Sequence, residues 1–187
     1  MNIFYLHPIP SKAAEYHVDK HCVKMILESA QLLSTAHRVL DGVETIQLNN
    51  KGTRRVKRWI LPDDGRSVLY EATHINHPSA VWARQSKQNY LWLYALFDAL
   101  CKEYTYRYGK VHKCERELIH KVLSFAPNNI SAFKGFTEPT PAMPEQYKVP
   151  GDSVQSYRNY YNGEKQRMFS WKKRDVPEFI NKNNIIS

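Results

Sequence analysis

The sequence predicts a mainly α protein: a single compact helical domain with one short β-hairpin. Three observations carry that prediction. Two long stretches, residues 12–40 and 76–108, repeat apolar side chains at the three- and four-residue spacing of a helix. One pair of β-prone runs flanks an Asn-Asn-Lys-Gly turn. A chain of 187 residues with no internal repeat is the size of one ordinary domain, and it can bury a core without metal or disulfide.

The elements follow in order. Residues 2–6 are apolar and extended, and Pro8 to Pro10 stop them. Ser11 is placed to cap a first helix from Lys12 to Leu40, which Asp41-Gly42 ends. Ile46-Gln47-Leu48, a turn at Asn49 to Gly52, and Val56 to Leu61 form the hairpin. Asn76-His77-Pro78-Ser79 opens a second long helix, with proline in its first turn, and Gly109 follows its end at Tyr108. A third helix covers 112–124 and completes a helical core over residues 11–125. Residues 126–151 hold five of the ten prolines and form a loop. Asp152 and Gln155 make a capping pair for a last, aromatic and basic helix over 153–172.

Composition narrows the partners. Lys and Arg number 27 against 18 Asp and Glu, a formal charge of +9. That excess favours an anionic partner such as nucleic acid over an acidic membrane surface. Three widely spaced cysteines, Cys22, Cys101 and Cys114, offer neither a zinc knuckle nor a disulfide framework and suit a reducing compartment. The start of the chain lacks a signal-peptide pattern, and no run reaches transmembrane length. A cytoplasmic protein is expected (host cytoplasm if it is viral), with no membrane partner and no cofactor.

The chemistry concentrates on one helix face. His17, His21, Lys24, Glu28, Gln31 and Thr35 succeed one another at spacings of three and four, so they line one strip. The rest of that helix is mostly apolar, so the strip is read as the wall of a polar cleft. Lys24 and Glu28 are an ordinary i,i+4 ion pair in any helix. In a desolvated cleft the same pair supplies an amine nucleophile and its acid–base partner. His17 and His21 stand as two metal ligands would, with Glu28, His74 or His77 as a third; a solvated face or hydrogen-bonded core histidines are the plainer explanation of the spacing. The helix start at His77 is an anion site or a plain cap, with Arg84 and Lys87 one and two turns in. In the last helix Tyr157, Arg158, Tyr160 and Lys165 interleave rings with cations, which suits base stacking and phosphate neutralisation, or simple docking on a core. Tyr157, Tyr161 and Phe169 are expected inward. Arg54, Arg55 and Lys57 of the hairpin add a backbone contact or a charged edge.

Three stretches, Tyr16 to Arg38, Asn76 to Lys110 and Met143 to Trp171, resemble a group of tailed-phage proteins. More remotely, Ala14-Glu15-Tyr16-His17, the helix from His77, and Tyr157-Arg158-Asn159-Tyr160-Tyr161-Asn162-Gly163 are similar in layout to the phage-type pyrimidine-dimer DNA glycosylases. That resemblance implies a small basic helical DNA-repair enzyme with an amine nucleophile and a carboxylate. The family exposes its amine by removing Met before a small residue, whereas residue 2 here is Asn; its glutamate follows Tyr-Arg, whereas Val18 follows Tyr16-His17, so Asp19 or Glu28 has to substitute. The leading expectation is a base-excision glycosylase and abasic-site lyase with Lys24, Glu28, His17 and His21 as catalytic groups. Tyr157, Tyr160 and Arg158 would flank a flipped nucleotide. Two other readings are a non-catalytic nucleic-acid-binding phage protein and a metal-dependent hydrolase or nucleotide enzyme built on His17, His21 and His77.

Overall fold

A computed structural model of the chain describes residues 1–181 and 183. Among these, the helices are α1 (Pro10–Tyr16), α2 (Asp19–Asp41), α3 (Pro78–Ala83), α4 (Lys87–Tyr108), α5 (Lys113–Arg116), α6 (Leu118–Leu123) and α7 (Ser153–Glu164), with one antiparallel hairpin of β1 (Val43–Leu48) and β2 (Arg55–Ile60). The mainly α class is the one the apolar periodicity predicts. Helix α4 is the central support: α1 and α2 both pack on it, and α3 lies against α2. Leu93, Leu96, Phe97 and Leu100 of α4 are buried with Met25, Ile26, Leu32 and Leu33 of α2. None of the helices among the described residues is long and apolar enough to cross a membrane.

Every long predicted helix is shorter than its periodicity suggests. The stretch 12–40 breaks at His17 and Val18, whose backbones are extended. The first helix starts at Pro10 with Ile9 as its uncapped N-cap, so Ser11 does not cap it. The carbonyls freed by the break find distant donors. Arg107, fully buried on α4, gives its guanidinium N–H groups to Glu15 O and His17 O, each at 2.9 Å. Trp171 Nε1 donates to Tyr16 O at 2.9 Å. Asp19, the first residue of α2, accepts from Arg107, from the Ser170 hydroxyl and from the Lys172 amide. Buried carbonyls must be paired, and here tertiary donors outcompete one more helical turn.

The stretch 76–108 breaks at Arg84 to Ser86 for a similar reason. Ser86 Oγ accepts from Asn89 N and caps α4, while the buried Asn89 side chain bonds Trp82 O and both the N–H and the hydroxyl of Thr137. Residues 112–124 divide into α5 and α6 at Glu117, which is extended. The Asp152 carboxylate accepts from Gln155 N at 2.8 Å, the cap expected for α7. That helix ends at Glu164 rather than 172, and a 3₁₀ turn over Gln166–Met168 follows.

The hairpin grows from the end of α2. Gly42 joins them so closely that a Cβ there would lie 2.5 Å from Arg38 O, so only glycine fits. Strand β1 starts at Val43, three residues before the expected Ile46, and the register pairs Val43 with Ile60 and Leu48 with Arg55. Arg38, buried one turn before the join, donates to Trp59 O, Leu69 O and Tyr70 O and pins the root of the ribbon.

Candidate active site

Halfway along α2 the polar strip meets the N-terminal segment and α7. Together they enclose a cavity of about 360 Å³ lined by Met1, Asn2, Phe4, Lys20, His21, Lys24, Met25, Glu28, Tyr160, Lys165 and Met168. The predicted strip therefore faces a concavity over its middle, at His21, Lys24 and Glu28. Its two ends do not. His17 lies outside the helix, and Thr35 is buried against the 73–77 loop, where its hydroxyl accepts from Thr73 N and donates to Thr73 O. Val23 and Leu27, two of the apolar residues beside the strip, are exposed with Lys20 and Lys24 on the solvent side of α2.

Glu28 is the electrostatic centre. Its Oε1 lies 3.2 Å from Lys24 Nζ. Its Oε2 accepts from the Asn2 amide at 3.0 Å and sits 3.8 Å from the Met1 amine. The carboxylate is largely buried, while Lys24 reaches into solvent with its side chain 68% exposed. Asn2 fixes the entering segment by donating Nδ2 to Ala142 O at 2.9 Å and accepting from Ile3 N. Lys165 completes the cationic rim: its Nζ donates to Tyr160 OH at 3.1 Å and lies 4.3 Å over that ring. A carboxylate that gathers amines beside open space can shuttle a proton to or from a bound group.

Aromatic rings form the opposite wall. Phe4 stacks on His21 with centroids 4.1 Å apart and runs nearly parallel to Tyr160 at 6.2 Å. Its backbone holds φ at 56°, a left-handed conformation that a bulky residue adopts only when its surroundings impose it. The imposition is visible: the Phe4 ring contacts His17, His21, Tyr157, Tyr160 and Tyr161. His21 Nδ1 bonds Tyr161 OH at 2.7 Å. Burial drives the His21 imidazole down to about 3, helped by the neighbouring His17, Lys165 and Lys24. At neutral pH it is an uncharged ring.

His17 is a correction to the catalytic set. It is wholly buried behind Phe4 and does not line the cavity. Its Nδ1 donates to Ala13 O at 2.6 Å, and burial holds it down to about 4. The metal reading finds no support in the geometry either. His77 Nδ1 accepts from Ser79 N as the cap of α3, and no three His, Cys, Asp or Glu among the described residues come together as ligands.

The other predicted contacts divide. His77 is close enough to feel both the Met1 amine and Glu28; burial is the main cause of its lowered pKa. As the cap of a six-residue helix it is a positioned imidazole rather than an anion site. Arg84 folds back on Ala80 O, and Lys87 stands exposed at the start of α4; neither lines the cavity. Tyr157 is fully buried, with its hydroxyl at Thr140 O and Ala142 N, so it cannot fill a gap left by a flipped nucleotide. Arg158 is also withdrawn: it donates to Leu6 O and stacks on Phe179. Tyr161 is buried as expected, whereas Phe169 is only half-buried. Of the last helix only Tyr160 reaches the site, joined by Lys165 just beyond its end. Arg54 and Arg55 stay exposed and unpaired among the described residues, while Lys57 pairs with Glu44 across the ribbon at 2.7 Å. Sequence reasoning missed Phe4, Lys20 and Met168. The apolar run at 2–6, with no strand to pair with, was the available signal for Phe4.

A second concavity of about 410 Å³ lies at the far end of α2, lined by His37, Asp64, Arg66, Lys121, Phe125 and neighbours. Its polar groups are consumed by one another. Arg66 bonds Asp41, Asp64 and His37 Nδ1, Asp41 also accepts from Asn128 N and Asn129 N, and His37 Nε2 meets Tyr90 OH and Phe125 O. This is a structural knot with little left to offer a ligand. Comparison with protein-family models, curated proteins and solved structures finds no match to this chain.

Proposed function

We propose that the protein is a DNA-processing enzyme of the base-excision glycosylase and abasic-site lyase type, acting on a damaged or modified nucleotide. One observation carries the reading: Glu28 holds Lys24 Nζ at 3.2 Å and the Met1 amine at 3.8 Å in a cavity walled by Phe4 and Tyr160. The formal charge of +9 adds support.

In this chemistry an amine, Lys24 first and Met1 second, gives up a proton to Glu28 and bonds C1′ of the sugar. The glycosidic bond breaks and its electron pair leaves with the base. Of the three protons on the starting ammonium, one passes through Glu28 to the base. A second goes to O4′ as the sugar ring opens, and the third stays on the C1′ iminium. Glu28 also offsets the positive charge that develops on the sugar. Tyr160 and Phe4 supply an apolar wall for an extruded nucleotide, and Lys20 and Lys165 supply phosphate contacts.

Borohydride reduces an iminium to a stable amine, so it tests the reading directly. Incubation with abasic-site duplex or ultraviolet-irradiated DNA is expected to trap a covalent complex. Peptide mapping is expected to place the sugar on Lys24 or Met1. Binding without any trapped adduct on either substrate, with unchanged behaviour in Lys24→Ala, overturns the enzymatic reading and leaves a nucleic-acid-binding protein.

A further inference from the structure

The hairpin has no structural reason to extend as far as it does. Trp59 is buried at its root, where it rests on α2, but most of the remaining ribbon is exposed. Ile46 and Leu48 are 65% and 61% exposed, and they share a face with their cross-strand partners Lys57 and Arg55. At the far end Lys51, Arg54 and Arg55 are exposed and make no ion pair among the described residues. The tip that carries them is firmly built. Asn49 O accepts from Gly52 N, the Asn49 side chain accepts from Thr53 N and Arg54 N, and Asn49 N closes the loop on Arg54 O.

The root of the ribbon lies on the same helix face as the cavity. Glu28, Gln31, Thr35 and Arg38 lie on one face of α2 at spacings of three and four, and Arg38 grips Trp59 O at the ribbon's root. The ten residues from Glu28 to Arg38 rise about 15 Å. Six-residue strands add about 20 Å of reach. Two strands stand about 5 Å apart, and with side chains they fill a major groove about 12 Å wide.

We infer that the β1–β2 ribbon is a groove-engaging arm. It lays Lys51, Arg54 and Arg55 on the phosphates of duplex DNA within about one helical turn of the nucleotide at Glu28. The inference rests on the proposed DNA substrate. It adds a separate contact surface and commits the bound form to duplex.

Fluorescence anisotropy with matched 24-base-pair duplex and single-stranded oligonucleotides, read from low to moderate salt, tests it. The parent protein is expected to prefer duplex. A triple variant, Lys51→Gln, Arg54→Gln and Arg55→Gln, is expected to keep its melting temperature, because these exposed side chains make no hydrogen bond or ion pair among the described residues. Its log–log salt slope on duplex is expected to fall by about 2–3, near one per lost phosphate contact, with binding to single strands unchanged. An unchanged slope, or equal loss on single and double strands, overturns the arm. Borohydride trapping separates the two ideas: a trapped adduct with an unchanged slope leaves the pocket chemistry standing and removes the arm alone. Failure to bind or trap any DNA removes both.

Discussion

Two acidic side chains on α2, Glu28 and Asp41, have similar company and opposite characters. Each is largely buried, each is paired to a cation, and each lies by a concavity near a histidine. Asp41 is saturated. Burial raises its carboxyl, yet the Asn128 and Asn129 amides and Arg66 together bring it below its ordinary range. Arg66 is itself consumed by Asp64 and His37. Glu28 holds an amine that still reaches open space: Lys24 is mostly in solvent, and the cavity beside it is also lined by Lys20 and Lys165. A buried charge pair does not mark a site; spare hydrogen-bonding capacity directed at a void does.

That contrast can be broken most sharply at Glu28. Glu28→Gln is expected to slow adduct formation by about 10²–10⁴-fold, the usual size of an acid–base contribution, while denaturant unfolding shifts by less than about 1 kcal/mol. The mirror change, Asp41→Asn, is expected to cost about 1.5–3 kcal/mol in unfolding free energy, because one charged acceptor shared by Arg66 and the Asn128 and Asn129 amides is lost while Arg66 keeps Asp64. Its folded fraction should still form adduct at the parent rate. If the two variants exchange behaviours, the assignment of site and knot is reversed.

Acid titration sharpens the comparison from the histidine side. His17, His21 and His37 are held down to about 4, 3 and 4, all chiefly by burial. A lowered folded value means that the unfolded chain binds more protons between about pH 6.5 and those values. Stability is thus complete above about pH 6.5 and drains as the pH falls toward 4, by up to about 1.4 kcal/mol per pH unit for each imidazole. Urea midpoints measured from pH 7 to 4.5 are expected to show that slope in the parent protein. His37→Gln is expected to flatten it by about one imidazole's share without changing the adduct yield at pH 7. Smallest of all, Lys165→Met is expected to weaken DNA binding by about one phosphate contact's salt slope and to leave stability nearly unchanged.

Helical periodicity made the mainly α class legible, β-prone runs around the Asn49–Gly52 turn did the same for the hairpin, and the Asp152 cap was visible in the residues alone. The breaks were not. Nothing near His17 announces an interruption, because its cause is Arg107, ninety residues away, supplying the donors that the freed carbonyls need. The same holds at Ser86, where a plain serine becomes a cap only because Asn89 is claimed by Thr137. The site was half legible for a related reason. Spacing on one helix could find Lys24 and Glu28, since they are local to each other. It could not place Phe4 or Met168 opposite them, and it overrated His17 and Tyr157, whose polar atoms turn inward to Ala13 and to Thr140. Ring-and-cation alternation in the last helix likewise did not distinguish Tyr160, which reaches the cavity, from Arg158, which is tied to Leu6 O.

The cavity draws its walls from residues 1–4, 20–28 and 160–168. Chain emerges from the ribosome at roughly 5–20 residues per second, so the first wall waits about ten to thirty seconds for the last. Partial products that already contain the N-terminal helices carry the basic surface but no finished chamber. On the proposed DNA reading, a nascent fragment would touch nucleic acid before its chemistry is assembled, because the chamber is complete only with α7 and the turn beyond it.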